Sequence, residues 1–240
     1  MKIKRSVINV LVALPLALLA ACAGKQGLSN DAYYNGFDDG RAFTNIEAAD
    51  SGTMKIYLIR HAKPNVKKRK ICTSAMAQAY VDAYAQAPII PFDSSLLSYD
   101  LPFDQTIYCS SLRRARETAL AIFGENYHFV VDPQYREFET RIIAQQNTFS
   151  LPLIVWQTLS RAAWVSGLNQ RGIESYTEAK ERAQRVAVNL ALAAEEQHTV
   201  VLVAHGMLNR AVAGQLKKNG WQIVQRQGHI NIGATVLVKE

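Results

Sequence analysis

TVVLVAHG, residues 199–206, is the stretch from which the fold is read. Six apolar or β-branched residues run without a break from Thr199 to Ala204, as expected of a strand covered on both faces. The texture on either side keeps alternating. Ser175 and Glu178 make a capping box ahead of a long helix. Its apolar residues Tyr176, Ala179, Ala183, Val186 and Leu190 recur at intervals of three and four, which gives one buried face. A helix is expected from about Met207 to Lys217, and a last strand over Ala234–Val238. Upstream, Ile56–Ile59 is another doubly buried strand. Thr73–Gln86 is Ala-rich and reads as a helix stopped before Pro88. Strands are expected at Thr106–Cys109 and Tyr127–Val131, with a helix between them at Arg113–Phe123 closed by Gly124. Strands alternating with helices predict an α/β layered sheet in one catalytic-sized domain, residues 54–240.

The whole chain has 240 residues, 49% of them hydrophobic and 20% charged, which suits a globular protein with a real core. No fixed-period repeat is present. Three Cys are too few for a disulfide framework. Residues 1–5 hold three cations, and Val7–Ala21 is apolar apart from Asn9 and Pro15. That run is short for a membrane span and fits the core of a secretory signal. It ends Leu19-Ala20-Ala21-Cys22, which resembles the bacterial lipobox. Residues 1–21 are therefore expected to be a lipoprotein signal peptide and Cys22 a lipidated N-terminus, an ordinary cleaved signal peptide being the alternative. Residues 22–53, rich in Gly and polar groups, read as a flexible tether about 30 Å from end to end. Tyr33, Tyr34 and Phe37 are its exceptions. Ala23, where Asp would signal retention at the inner membrane, suggests an outer-membrane anchor facing the periplasm. Processing would remove three of the 27 cations and none of the 20 carboxylates. The exported chain would then be only mildly basic, and nucleic acid is not an expected partner.

The reactive side chains fall at the ends of strands. Arg60-His61 ends the first, Arg114 opens the helix after the second, Glu137 lies just past the third, and His205-Gly206 ends the fourth. Ligands of open α/β sheets bind in the crevice at such ends. Each residue alone has a plain reading: a satisfied histidine, a solvated cation, a capping carboxylate. Four such sites at one end of successive strands point instead to a common anion-binding centre.

These residues also carry a resemblance. IYLIRHAKP, SSLRRARETA, YREFE and VLVAHG are similar, in order and spacing, to the signatures of the histidine phosphatase superfamily, the phosphoglycerate-mutase-like fold. The resemblance runs from about Met54 to the C-terminus. It implies a three-layer α/β/α sandwich with a mostly parallel, mixed central sheet, and a two-step phosphoryl transfer through a phosphohistidine. By motif position it makes His61 the nucleophile, Arg60 and Arg114 the phosphate-binding arginines, His205 the second histidine of the pocket, and Glu137 the proton donor. Glu139 stays a competing acid, since two residues on in an extended segment it shares a face with Glu137. Ala62 stands where many members have Gly, and Lys63-Pro64-Asn65 does not reproduce the residues of the mutases and sugar phosphatases. Those departures sit at the rim and bear on substrate identity.

The chemistry suits the assignments. A neutral imidazole can attack phosphorus and divide a difficult substitution into two easier ones. Guanidinium groups grip phosphate bidentately and stay charged. A carboxylic acid can protonate a leaving alkoxide. The expectation is thus a phosphomonoester hydrolase acting on a phosphorylated small-molecule or envelope substrate, anchored to the membrane by its lipid. The alternatives are a phosphoglycerate-type mutase and a non-catalytic lipoprotein that binds phosphorylated envelope components. No cofactor is implied. The five histidines form no HExxH pair and Cys72 and Cys109 have no CxxC partner, so no metal is expected.

Three features stand beside that core. Lys63, Lys67, Lys68, Arg69 and Lys70 read as a solvated run, or as an attractor for anionic substrate or lipid headgroups. Leu151–Val165 reads as a helical insertion capping the pocket, with at least one of Trp156 and Trp164 in the core. Export would put Cys72 and Cys109 in an oxidising compartment. A bridge between them closes a loop of about 37 residues; otherwise Cys109 is a small buried hydrophobe and Cys72 an exposed thiol.

Overall fold

The computed structural model describes residues 45–94, 98–143, 149–170 and 172–240. The expected signal peptide, Cys22, the aromatics at 33–37 and the tether up to residue 44 lie outside the described residues. In chain order the strands are β1 Ile46–Glu47, β2 Met54–Arg60, β3 Ile71–Cys72, β4 Tyr99–Asp100, β5 Thr106–Ser110, β6 His128–Asp132, β7 Leu151–Pro152, β8 Thr199–Ala204, β9 Gln222–Arg226 and β10 Ala234–Lys239. The helices are α1 Ser74–Gln86, α2 Arg113–Phe123, α3 Leu153–Val165, α4 Tyr176–Gln197 and α5 Gly206–Lys218.

Six strands form one sheet in the order β6-β5-β8-β2-β10-β9. β6, β5, β8 and β2 run parallel, and β10 is antiparallel to both β2 and β9. The sheet is therefore mixed and mostly parallel. β8 lies between β5 and β2 with all six residues buried, as its unbroken apolar run requires. Each of its valine and leucine side chains contributes roughly 1.5–3 kcal/mol over an exposed one. Ile56, Leu58, Val200, Leu202 and Leu237 point to one face and pack against α4 and α5 through Ala183, Val186, Leu190, Leu208 and Val212. The alternate residues face the opposite layer, where α2 lies against β5 and β8.

The N-terminal part of the fold starts earlier than the sequence suggests. Ile46, placed in the tether, is 1% exposed, and β1 pairs with β4. The Tyr57 hydroxyl donates to the Glu47 carbonyl at 3.0 Å, and the Ala49 N–H donates to Thr199 Oγ1 at 2.7 Å. Strand β9 has no sequence signal: its residues are exposed or half-buried, so no apolar face marks it. Trp156 and Trp164 are both core residues, 2% and 1% exposed. Cys72 and Cys109 are free thiols and both are buried. Neither the bridge nor an exposed Cys72 is therefore found. Cys72 packs with Ala77, Ile142, Leu153 and Trp156, while Cys109 sits in β5. Burial pushes the Cys109 thiol up to about 12 against the opposing charge of Arg116.

Candidate active site

Strand register assembles the centre. β2 and β8 are parallel neighbours with Arg60 opposite Ala204, so the next residues, His61 and His205, emerge side by side. The His61 N–H closes the ladder on the Ala204 carbonyl at 3.0 Å. The two imidazole centroids are 5.0 Å apart. On the other side of β8, β5 ends at Ser110, whose hydroxyl meets His205 Nε2 at 2.7 Å. Three residues on, α2 begins, and Arg114 in its first turn reaches back into the centre.

Each imidazole is held in a defined way. His61 Nδ1 lies 2.7 Å from the Ala62 carbonyl, so it carries the proton and leaves Nε2 with its lone pair. Arg114 Nε donates to that Nε2 at 3.2 Å. Arg114 is almost fully buried, and its Nη1 donates to the Tyr84 and Ala85 carbonyls at 3.2 Å while the guanidinium lies 5.1 Å from the Tyr84 ring. Thr118 locks the corner: its Oγ1 accepts from the Ala62 N–H at 2.9 Å and donates to the Arg114 carbonyl at 2.6 Å. Arg60 donates from Nη1 to the His229 carbonyl and runs past Gly206, where a Cβ would come within 3.4 Å of its Nε. Asn231 donates to the His61 carbonyl at 2.9 Å, and Asn209 to the Ile59 carbonyl at 3.0 Å. Arg60 Nε and His205 Nδ1 are buried and have no partner among the described residues. Buried polar atoms normally find partners; an anionic ligand would satisfy Arg60 Nε, and His205 Nδ1 in the tautomer that carries its proton there.

Glu137 is present at the centre, but in a role its sequence position did not announce. Its carboxylate caps α5, the helix that follows His205: Oε2 accepts from the Met207 N–H and Oε1 from the Leu208 N–H, each at 3.1 Å. Oε1 also accepts from the Phe138 N–H at 3.0 Å. Glu139 points elsewhere, accepting from the Glu174 N–H at 3.1 Å. The two carboxylates therefore do not share a face, and Glu137 is the one that caps the helix following His205 and whose charge acts on Arg114. Both line a cleft of about 900 Å3, together with Arg114, Tyr84, Gln157 and Arg161. The last two come from α3, so the helical insertion walls the cleft. Among the described residues no group of His, Cys, Asp or Glu is arranged to hold a metal ion.

The electrostatics follow from burial among cations. Burial lowers the His61 pKa to about 3, with Arg114 and Arg60 adding to the effect and the Ala62 hydrogen bond opposing it. Burial, His61 and the same arginines hold His205 well below the ordinary imidazole range. Both rings are thus neutral in the folded chain over a range where unfolded histidine is protonated. Between pH 6.5 and about 3 unfolding takes up protons. Stability is therefore fully present above pH 6.5 and is lost as the medium is acidified through that window. Two such groups predict a slope of roughly 2–3 kcal/mol per pH unit below pH 6. Urea titrations across that range should show it, and His205→Asn should reduce it by about half. A flat profile would mean that the imidazoles are solvated.

Sequence reasoning missed five residues of this centre: Tyr84, Ser110, Thr118, Asn209 and Asn231. Ser110 and Thr118 lie inside SSLRRARETA and were available as signals; the others were not.

The family described as the histidine phosphatase superfamily (branch 1) matches residues 94–239. That span contains Arg114, Glu137 and His205 and starts after Arg60-His61, whose place in the centre rests on the strand register. Among solved structures, phosphoglycerate mutase from Bacillus anthracis str. Sterne is similar with a TM-score of 0.51 at 16% identity, over 80% of this chain and 90% of that one. A mycobacterial glucosyl-3-phosphoglycerate phosphatase is similar at 21% identity and TM-score 0.45, over 78% and 90% of the two chains. Phosphoserine phosphatase from Entamoeba histolytica, in complex with 3-phosphoglyceric acid, gives 17% identity and 0.46, over 76% and 89%. No curated protein matches. The likeness to the mutase shows the fold: a mixed sheet between helices.

Proposed function

The chain belongs to the histidine phosphatase superfamily, a family of phosphohydrolases and mutases, and from that premise we propose that it is a phosphomonoester hydrolase working through a phosphohistidine at His61. The observation that supports this most is the state of His61. Its Nδ1 proton is fixed on a carbonyl, its ring is neutral, and its Nε2 lone pair faces a buried guanidinium. A bound phosphate dianion competes for the Arg114 N–H far better than a neutral nitrogen does. As the anion takes that N–H, the Nε2 lone pair is freed toward phosphorus. Arg60, Arg114 and His205 then stabilise the equatorial oxygens, which is where charge accumulates in phosphoryl transfer. Glu137 delivers a proton to the leaving oxygen and takes one from the water that opens the phosphohistidine. The two arginines supply the positive charge and His205 a neutral hydrogen bond, so the purified chain should release inorganic phosphate from phenyl phosphate without added metal and in the presence of a chelator. Failure to turn over any phosphomonoester would leave the binding-protein alternative standing.

The substrate we propose is a phosphorylated compound of the cell envelope, and the location a lipid anchor at Cys22 in the outer membrane facing the periplasm. The leader and the Leu19-Ala20-Ala21-Cys22 run support both halves. Export also favours hydrolase over mutase, because it separates the chain from cytoplasmic sugar phosphates. Cells expressing the full chain should incorporate labelled palmitate into it, and Cys22→Ser should abolish that label. Label persisting in the variant would refute the anchor, and wild-type protein in the inner-membrane fraction would refute the location.

A further inference from the structure

The flank of the domain built by the chain after His61 and by the start of α3 has a charge pattern that catalysis does not use. Residues 61–81 hold five cations and no carboxylate. The rest of the chain after residue 21 holds 19 cations against 20 carboxylates. The fold brings this acid-free segment against the start of α3. β3 pairs with β7, Ile71 opposite Pro152 and Cys72 opposite Leu151, and the Leu153 N–H donates to the Lys70 carbonyl at 3.2 Å. Cys72 and Leu153 turn inward to Ala77, Ile142 and Trp156. Ile71 and Pro152 share the outward side, where Ile71 is 65% exposed. Ile154, in the first turn of α3, is 59% exposed. Beside this apolar ridge, Lys67, Lys68, Arg69 and Lys70 are all exposed, and none makes an ion pair among the described residues.

We propose that this flank, Lys67–Ile71 with Pro152 and Ile154, docks the domain onto an anionic lipid bilayer. Clustered cations are drawn to anionic headgroups, and exposed branched aliphatic side chains beside them gain by entering the interfacial region. The composition favours lipid over nucleic acid. Single-stranded nucleic acid calls for a series of exposed aromatic platforms, whereas the apolar residues of this ridge are aliphatic, and the nearby Phe149, 47% exposed, keeps one face stacked on Trp156. The proposal holds whether or not Cys22 carries lipid; with a lipid, the flank would orient the domain against the membrane that anchors it. The α1 and α3 helices behind the flank also wall the cleft, so docking would set how the cleft faces the bilayer.

The test uses the full chain carrying Cys22→Ser, so that no acyl chain contributes, in flotation with vesicles of phosphatidylcholine alone or with about a third phosphatidylglycerol. Each cation at an anionic surface is worth roughly fivefold in partitioning. The expected result is at least tenfold stronger flotation with the anionic vesicles, lost in high salt. Lys67→Glu/Lys68→Glu/Lys70→Glu should weaken it by on the order of a hundredfold or more. Ile71→Ser/Ile154→Ser should weaken it without changing the salt dependence. Because the leader is present in every arm, its contribution cancels between variants. These residues touch neither histidine, so phosphatase activity toward phenyl phosphate should be unchanged in all of them, which separates this proposal from the catalytic one. Equal flotation by the charge-reversed and parent chains would overturn it. So would tight binding to single-stranded nucleic acid with no preference for anionic vesicles.

Discussion

Alanine in place of His61 should remove turnover of phenyl phosphate, with a fall in kcat on the order of 10,000-fold or more. The size follows from what is lost. Arg60, Arg114 and His205 would still gather a phosphate, so binding survives in part, but among the described residues Arg114 donates to no other imidazole nitrogen. His205 cannot substitute, because its Nε2 is held by Ser110 and its ring centre is 5.0 Å away. The direct measurement is an alkaline quench with substrate labelled in the phosphoryl group, since phosphohistidine survives base and decays in acid. Wild-type protein should carry label on His61, and the variant should carry none. Circular dichroism would confirm that the variant is folded. Undiminished activity, or label on another residue, would sink the mechanism.

Glu137→Ala should discriminate between leaving groups. An alkoxide must be protonated as it departs, so alkyl phosphates should lose roughly 100- to 10,000-fold in kcat, the usual range for a positioned general acid. A phenolate leaves without a proton, and phenyl phosphate should lose far less. The same side chain accepts from the first N–H groups of α5, so the alanine variant should also lose about 0.5–2 kcal/mol of stability, as helix-capping residues do. Glu137→Gln separates the two roles. The amide oxygen can still accept from one of the two α5 N–H groups, while its NH2 cannot accept from the other and no proton is available to the leaving group. Part of the stability should return and alkyl turnover should not. Glu139→Ala should leave the selectivity unchanged; if it reproduces the alkyl-specific loss, Glu139 is the acid.

What was legible in the sequence was whatever local pattern dictates. The six buried residues of β8, the capping box at Ser175 and the Gly124 stop each depend on neighbours within a few positions, and each is found as read. So was the convergence of Arg60, His61, Arg114 and His205, because parallel strands put their C-terminal ends together whatever the loops do. Contacts between distant residues that carry no periodicity were not legible. Glu137 was legible as a site residue but not as the cap of α5, since its partners lie some seventy residues on and backbone N–H groups have no sequence signature. Tyr84 sits in an Ala-rich helix and nothing local marks it as the residue under Arg114. Strand β9 was missed because an edge strand with Gln222, Val224 and Arg226 toward solvent need not bury a face. Ile46 was placed in the tether because two residues pairing with β4 are too few to show a period.

The parallel alignment of β2 with β8 makes the centre behave like a reading frame. Both histidines are the first residue beyond a strand, and their approach is counted off rung by rung from Lys55 opposite Thr199. Inserting or deleting one residue inside either strand would shift one imidazole by about 3.3 Å and turn it to the other side of the sheet. No side-chain adjustment recovers that. A residue added between Pro64 and Lys67, or after Lys218, leaves the count untouched. Length variation among descendants of this chain should therefore be confined to the loops, while Met54–His61 and Thr199–His205 keep their lengths even where their apolar residues are exchanged.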